Sequence, residues 1–292
     1  MEIKVPKGKY VLAVSGGVDS MVLLDLLARK PGVELIVAHF NHNIRENSID
    51  DELLVKQAAS KYGLIFEARQ GALSRNASEA TARTARYAFL RGIKNKYQAG
   101  KIITAHHQDD MIETALINLI RGTNRSGLSS IINSKQVLRP LLAVSKAEIL
   151  AYARLNGINW HEDTTNDETK YLRNHLRLKV LKKLKRTQRD QLISNIEKVA
   201  KLSTLINDQI AILSQTTGKN TIDRQLFSTI PTSVGDELIV HYLKQQQIAD
   251  FDSKTISRLN IAIRTSKNLK SQSVKHGATL ELTANTAQFV TP

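Results

Sequence analysis

An apolar run at residues 10–14 (YVLAV) leads straight into Ser15-Gly16-Gly17-Val18-Asp19-Ser20, and a helix-forming apolar run, 18–29, follows without a break. A strand that empties into a two-glycine turn at the head of a helix constrains both the fold and the chemistry. Backbone N–H groups at a helix start are unpaired, and the aligned peptide dipoles add positive potential there, so the turn is an anion cradle. Gly16 and Gly17 let the backbone approach phosphate oxygens closely, and Ser15 and Ser20 add hydroxyl donors. Asp19 either caps the helix or helps to hold Mg2+ on phosphates. No lysine follows the glycines, so this is not the GxxxxGK[ST] loop, and the spacing is not GxGxxG.

The surrounding pattern repeats this unit. Strand-like runs at 34–39, 64–68 and 101–104 alternate with helical runs at 48–62, 78–97 and 109–121. That order predicts an α/β fold with a doubly wound, mostly parallel sheet, whose ligand lies beyond the carboxyl ends of the strands. The polar clusters at 15–20, 39–45 and 106–110 all follow strands and are expected to meet at that edge. Beyond Pro140 the pattern becomes helical. Ser145 and Glu148 have capping-box spacing and Gly157 supplies a stop. Further helices are expected at 171–185 and 189–213, then a linker at 216–220. The end of the chain, with helices near 234–246 and 254–265 and strands within 280–290, reads as a small α+β unit. The expected division is 1–140 as the nucleotide-binding part, 141–217 as a basic helical extension, and 218–292 as a C-terminal recognition unit.

Charge and cysteine content narrow the chemistry. A formal net charge of +15 points to a polyanionic partner, most often nucleic acid. Aromatic residues are only 5%, against a stacking platform for single strands. There is no cysteine, which excludes disulfides and thiolate metal sites and makes sulfur transfer awkward. The longest apolar runs are too short to span a bilayer, and the first ten residues have no signal-peptide core, so a cytoplasmic protein is expected.

SGGVDS after a strand resembles the pyrophosphate-binding loop of the PP-loop ATP pyrophosphatases, enzymes that split ATP between its α and β phosphates. Three more stretches sharpen the likeness: Ala38-His-Phe-Asn-His-Asn-Ile-Arg45, Ala105-His-His-Gln-Asp-Asp-Met-Ile-Glu-Thr114, and the basic helix Ser78-Glu-Ala-Thr-Ala-Arg-Thr-Ala-Arg-Tyr87. With Asn166 and Tyr171-Leu-Arg-Asn-His-Leu-Arg177 they are similar to the tRNA(Ile)-lysidine synthetase family, over residues 10 to about 181. The resemblance implies an adenine nucleotide alpha hydrolase-like fold, ATP and Mg2+ as cofactors, L-lysine and isoleucine tRNA with a CAU anticodon as substrates, and weakly a homodimer. In the implied reaction the C2 oxygen of the wobble cytidine attacks the α-phosphate of ATP. Lysine then displaces AMP and leaves lysidine, which reads AUA.

The expected site follows residue by residue. Ser15, Gly16, Gly17, Val18, Asp19 and Ser20 hold the phosphates, and the Ala38 and His39 backbone lies where adenine would. His106 is the implied catalytic group, with Asp110, Arg83 and Asp19. Asp110 and Glu113, three apart on a helix, share a face and would take the lysine amines. Asp19 and Asp109 are the expected Mg2+ ligands. Arg83 would neutralise developing charge, with Arg86 a weaker candidate. His42 and Arg45 have no assigned role, and a zinc site from His39, His42, His106 and His107 is disfavoured without cysteine. Residues 170–189 hold nine lysines and arginines in twenty positions. Among them Arg173, Arg177, Lys179, Lys182 and Lys183, with Asn174, are the expected tRNA contacts. Two alternatives stay open: an ATP pyrophosphatase amidating a small molecule, and a non-catalytic tRNA-binding protein.

Overall fold

A computed structural model of the chain describes all residues except 42–47, 72–78, 124, 133–135, 163–171, 217–220, 249–250, 267–269, 276 and 292. It divides into two compact units, Met1–Ala200 and Lys201–Pro292. The division falls inside one long helix.

The first unit is built on five strands: β1 (Gly8–Ala13), β2 (Val33–Asn41), β3 (Ile65–Gln70), β4 (Lys101–Ile103) and β5 (Val137–Leu138). They pair in the order β3-β2-β1-β4-β5, and every pairing is parallel. The helices are α1 (Val18–Ala28), α2 (Ser48–Lys61), α3 (Glu79–Lys96), α4 (Gln108–Ile120), the short α5 (Arg125–Leu128) and α6 (Lys146–Leu155). This is the doubly wound sheet that the alternation requires. The central strand β1 is apolar on both faces, and Val11 and Leu12 are fully buried, as expected where helices cover both sides. One layer packs Leu12, Leu23, Leu24, Leu27 and Val37 together, and the other packs Val11, Ile36, Leu90 and Ile102.

Helix α1 is buried almost all round, including Asp25. That carboxylate accepts from the Tyr62 hydroxyl, from Tyr152 Oη at 2.8 Å and from Arg29 Nη2 at 2.7 Å. Burial alone would raise it, but these three donors hold it below the usual carboxylate range. The network ties α1 to the end of α2 and to α6. Helix α6 starts at Ser145 with the expected capping box.

One expectation is corrected here. Residues 171–185 do not form one α-helix. A short α7 (Leu172–His175) passes into a π-helical turn (Leu176–Val180) and a 3-10 turn (Leu181–Lys183) before α8 (Arg186–Thr216) begins. Leu176 and Leu181 are buried while Leu172 is exposed, and the wider turn changes the direction in which the basic side chains leave the backbone.

The second unit holds β6 (Thr221–Asp223), α9 (Arg224–Thr229), α10 (Thr232–Gln245), α11 (Ser253–Thr265), β7 (Lys270–Ser273), β8 (Thr279–Leu282) and β9 (Thr286–Val290). Its antiparallel sheet has the order β6-β9-β8-β7. Leu280, Leu282, Ala287 and Phe289 alternate inward against Phe227, Leu238, Tyr242 and Ile263. Among the described residues, no helix is long and apolar enough to cross a membrane.

Candidate active site at the carboxyl edge of the sheet

The loop between β1 and α1 is shaped by its glycines and serines. Gly16 sits at φ +93°, which favours glycine, and Gly17 is the N-cap of α1. The Ser20 hydroxyl folds back over the turn. It accepts from the Ser15 N–H at 3.1 Å and donates to the Gly17 carbonyl at 2.9 Å. The Gly17 N–H has only a 3.5 Å contact to Ser15 Oγ, so it stays open to a better acceptor. This is an anion cradle at a helix start, with Val18 in its first turn.

Asp19 leaves this turn toward two cations or potential cations. Lys146 Nζ donates to its Oδ1 at 2.6 Å, and His107 Nε2 lies 3.7 Å from its Oδ2. Helix α4 begins one residue earlier than the sequence spacing indicates. Its N-cap is His107, whose Nδ1 accepts from the Asp109 N–H at 3.2 Å. Asp110 completes the capping box by accepting from the His107 N–H at 2.9 Å. The other ring nitrogen of His107 therefore stands between Asp19 and Asp110, at 3.7 and 3.6 Å. The phosphate loop and the second motif are joined through a histidine that was not among the expected site residues.

Asp110 is largely enclosed. Burial by itself would raise its carboxyl, but His107, His106, the His107 N–H and Arg177 together hold it below the ordinary range. Glu113 has no exposed side-chain surface. Arg177 grips it in a two-pronged bond, Nε to Oε1 at 2.7 Å and Nη2 to Oε2 at 3.0 Å, and lies 3.5 Å from Asp110 Oδ1. Burial pushes Glu113 upward, with the Arg177 guanidinium opposing it. Arg173 Nε is 3.7 Å from Glu113 Oε2. Asp109 is engaged by Arg189 Nη1. So Arg173, Arg177 and Arg189 turn inward onto α4, while Lys179, Lys182 and Lys183 are exposed.

His106 bonds Thr104 Oγ1 through Nδ1 at 2.8 Å. Burial, then the positive charges of Arg139, Arg86 and Arg83, push it down to about 3 against the pull of Asp110. It is a neutral imidazole near pH 7. Arg83 and Arg86 lie over the Tyr87 ring, at 4.9 and 5.6 Å from its centroid. Ala38 and His39 are engaged inside the sheet. The Ala38 carbonyl accepts from the Val14 N–H at 3.0 Å, and His39 Nδ1 bonds the Val14 carbonyl at 2.9 Å. His42, Arg45, Asn166, Lys170 and Tyr171 lie outside the described residues, as does the side chain of Asn174. Among the described residues, no group of three acidic or histidine side chains forms a metal cage.

A phosphate cradle at the carboxyl edge of a parallel sheet, faced by a buried acid pair, defines a nucleotide-handling α/β protein. The chain belongs to the PP-loop domain family, whose model matches residues 2–184. It is 38% identical over 217 residues to a tRNA(Ile)-lysidine synthase of Lactobacillus gasseri, covering 70% of this chain and 50% of that protein. A synthase of the same name from Francisella tularensis is 32% identical over 267 residues, covering 87% of this chain and 66% of the relative. A third, from Thermus thermophilus, is 41% identical over 181 residues, covering 59% and 35%. The chain thus spans about half the length of the Lactobacillus relative and two thirds or less of the others. Among solved structures, the U34-tRNA thiolase of Methanococcus maripaludis superposes with a TM-score of 0.57 at 17% identity, covering 66% of this chain and 72% of that one. That likeness concerns the fold.

Proposed function

We propose that the chain is an ATP-dependent ligase that joins lysine to C2 of the wobble cytidine of isoleucine tRNA bearing a CAU anticodon. The observation that carries this reading is the continuous line from the phosphate loop to a buried acid pair: Asp19, His107, Asp110, Glu113 and Arg177. Sulfur transfer has no cysteine to support it, and the curated relatives share the lysidine synthase name.

In the first step the cytidine O2 attacks the α-phosphate, and the bond to the β-phosphate breaks. The N–H groups of Gly16, Gly17 and Val18, with the Ser15 and Ser20 hydroxyls, hold the departing pyrophosphate. The Ala38 and His39 backbone borders adenine. Mg2+, when bound, neutralises charge on the phosphates. Asp19, in the first turn after the loop, would hold that ion where phosphates supply the remaining oxygens. Asp109 is held by Arg189 as Asp19 is by Lys146, so either carboxylate would take the ion only by leaving its cation.

In the second step the lysine amine attacks C2, the C2–O bond breaks and AMP leaves with the oxygen. Asp110, held below the ordinary carboxylate range, receives an ammonium group of lysine, and Glu113 does so once Arg177 gives way. The nucleophilic amine must lose a proton, from a free pKa near ~10.4. A carboxylate of the pair or the neutral His106 imidazole, oriented by Thr104, accepts that proton directly or through water, and Arg83 balances charge on the adenylated base. Lys179, Lys182 and Lys183, with Asn174, contact tRNA phosphates, Arg173 and Arg177 being turned onto Glu113, and residues 218–292 read another part of the tRNA.

The test is release of pyrophosphate and AMP with a CAU-anticodon isoleucine transcript and labelled lysine, added separately and together. Label in the RNA only with ATP, and its loss when the wobble C becomes U, is the expected result. Turnover that ignores RNA would instead identify an enzyme acting on a small molecule, and no turnover at all a tRNA-binding protein.

A further inference from the structure

The phosphate loop is touched from outside by two residues that the sequence motifs do not include. The backbone N–H of His161, just beyond α6, donates to the Gly16 carbonyl at 3.1 Å. The His161 ring, through Nδ1, bonds Asp51 Oδ1 at 2.7 Å. Asp51, in the first turn of α2, stands directly against Gly16. A Cβ built on that glycine would meet the Asp51 side chain at 3.3 Å. Three segments far apart in sequence therefore close on a single peptide unit.

That unit is the one between Gly16 and Gly17. A trans peptide points its C=O and its N–H in opposite directions, and the described residues contain no cis bond. Fixing the Gly16 carbonyl on His161 fixes the Gly17 N–H on the opposite side. With glycine at both ends, this plane can turn over at little steric cost. The turned state would present a carbonyl oxygen where an anion is to be bound.

We propose that Asp51 and His161 are positioning residues that hold the Gly16–Gly17 peptide in its anion-accepting orientation, and so set the affinity for the phosphates of ATP. The inference rests on the reading of this loop as the ATP site. Asp51 anchors the His161 ring, the ring places the His161 backbone, and the backbone N–H holds the carbonyl. Neither side chain touches the reacting atoms. The Gly17 N–H meets the phosphates already in the bound state, so the pair acts chiefly on ATP binding, which appears in KM, and much less on saturated turnover.

The experiment compares the wild-type chain with His161→Ala, His161→Asn, His161→Pro and Asp51→Asn in ATP-dependent AMP release, with melting temperature as the control for folding. His161→Ala and Asp51→Asn should raise the KM for ATP by about tenfold, with kcat at saturating ATP within about twofold. His161→Asn, whose amide still donates to Asp51, should recover most of the affinity. His161→Pro deletes the N–H itself and should give the weakest ATP binding. Isothermal titration with a non-hydrolysable ATP analogue should rank the variants the same way. An unchanged KM and analogue affinity in folded His161→Ala would overturn the proposal, and so would a fall in kcat at constant KM. If the wild-type chain neither turns over nor binds ATP, the reading of the site fails first.

Discussion

Each unit buries polar side chains, and the two treat them differently. In the second unit Arg224 is 9% exposed, and its guanidinium is fully used. Nε donates to the Ile263 carbonyl at 2.7 Å, and the remaining nitrogens reach the carbonyls of Thr283, Ala284 and Ser266. Asn260 beside it donates to Thr232 and Asp236 and accepts from Arg264. In the first unit Arg139 donates from Nη1 to the Ile131 carbonyl at 2.8 Å, and its Nε is buried without a partner among the described residues. His39 Nε2 is likewise buried and unpaired there. Unsatisfied buried groups cost about 1–3 kcal/mol each. A fold tolerates them where something else is gained, and here Arg139 contributes to the field that keeps His106 neutral. Arg224 in the second unit closes the end of α11 and the β8–β9 turn, whereas Arg139 in the first leaves its Nε unpaired.

The contrast is tested most severely at the buried acid of α4. Glu113→Ala leaves the Arg177 guanidinium without its main partner. Ligation in single-turnover lysine incorporation should fall by at least about a thousandfold, and urea denaturation should show a loss of about 3–5 kcal/mol. Retained activity would mean that the acid pair is structural. The two arginines come next. Arg224→Met strands several carbonyls and should cost about 3 kcal/mol in stability, whereas Arg139→Met should cost less than about 1 kcal/mol and lower turnover by about tenfold. The reverse ranking would invert the comparison.

A third effect separates inward from outward cations. Replacing Lys179, Lys182 and Lys183 by alanine should weaken tRNA binding without change in ATP binding. Its salt dependence should flatten by about one unit of log–log slope for each tRNA phosphate that is no longer neutralised. The smallest expected effect is on acid stability. His106 binds its proton far less readily folded than unfolded, so the unfolded chain takes up more protons between about pH 3 and 6.5. Stability contributed by this group is present above pH 6.5 and falls as the pH is lowered. His106→Gln should flatten the dependence of the urea midpoint between pH 6.5 and 5 by on the order of 1 kcal/mol.

Local chemistry was legible in the sequence, and long-range partnership was not. SGGVDS declares its turn because strand, glycines and helix are contiguous, and the Ser145–Glu148 cap declares itself within three residues. The alternation of runs gave a parallel sheet. It did not reveal β5, which has only two residues, nor β6, β7 and α9, which are short and polar. The partners that shape the site lie far along the chain: Arg177 from Glu113 by 64 residues, Arg189 from Asp109 by 80, His161 from Asp51 by 110 and Lys146 from Asp19 by 127. No periodicity reports such pairs. His107 had a local signal, a polar residue three before Asp110 in the capping-box position, hidden by the rarity of histidine as a cap. The tract at 171–185 reads as one tRNA-facing cationic helix because Leu172, Leu176, Val180 and Leu184 keep helical spacing. The π-helical turn that directs Arg177 inward leaves no mark in that stripe.

That turn also governs how this segment can drift. A π-turn amounts to one additional residue inserted in a helix, and each residue of an α-helix carries the next side chain round by about 100°. Losing one residue between Leu176 and Val180 would swing Arg177 or Arg189 away from α4, whatever residues surrounded them. Exchanging Lys179 for another polar residue would disturb neither. Along this stretch the number of residues, more than the identity of the outward ones, sets which side chains face α4.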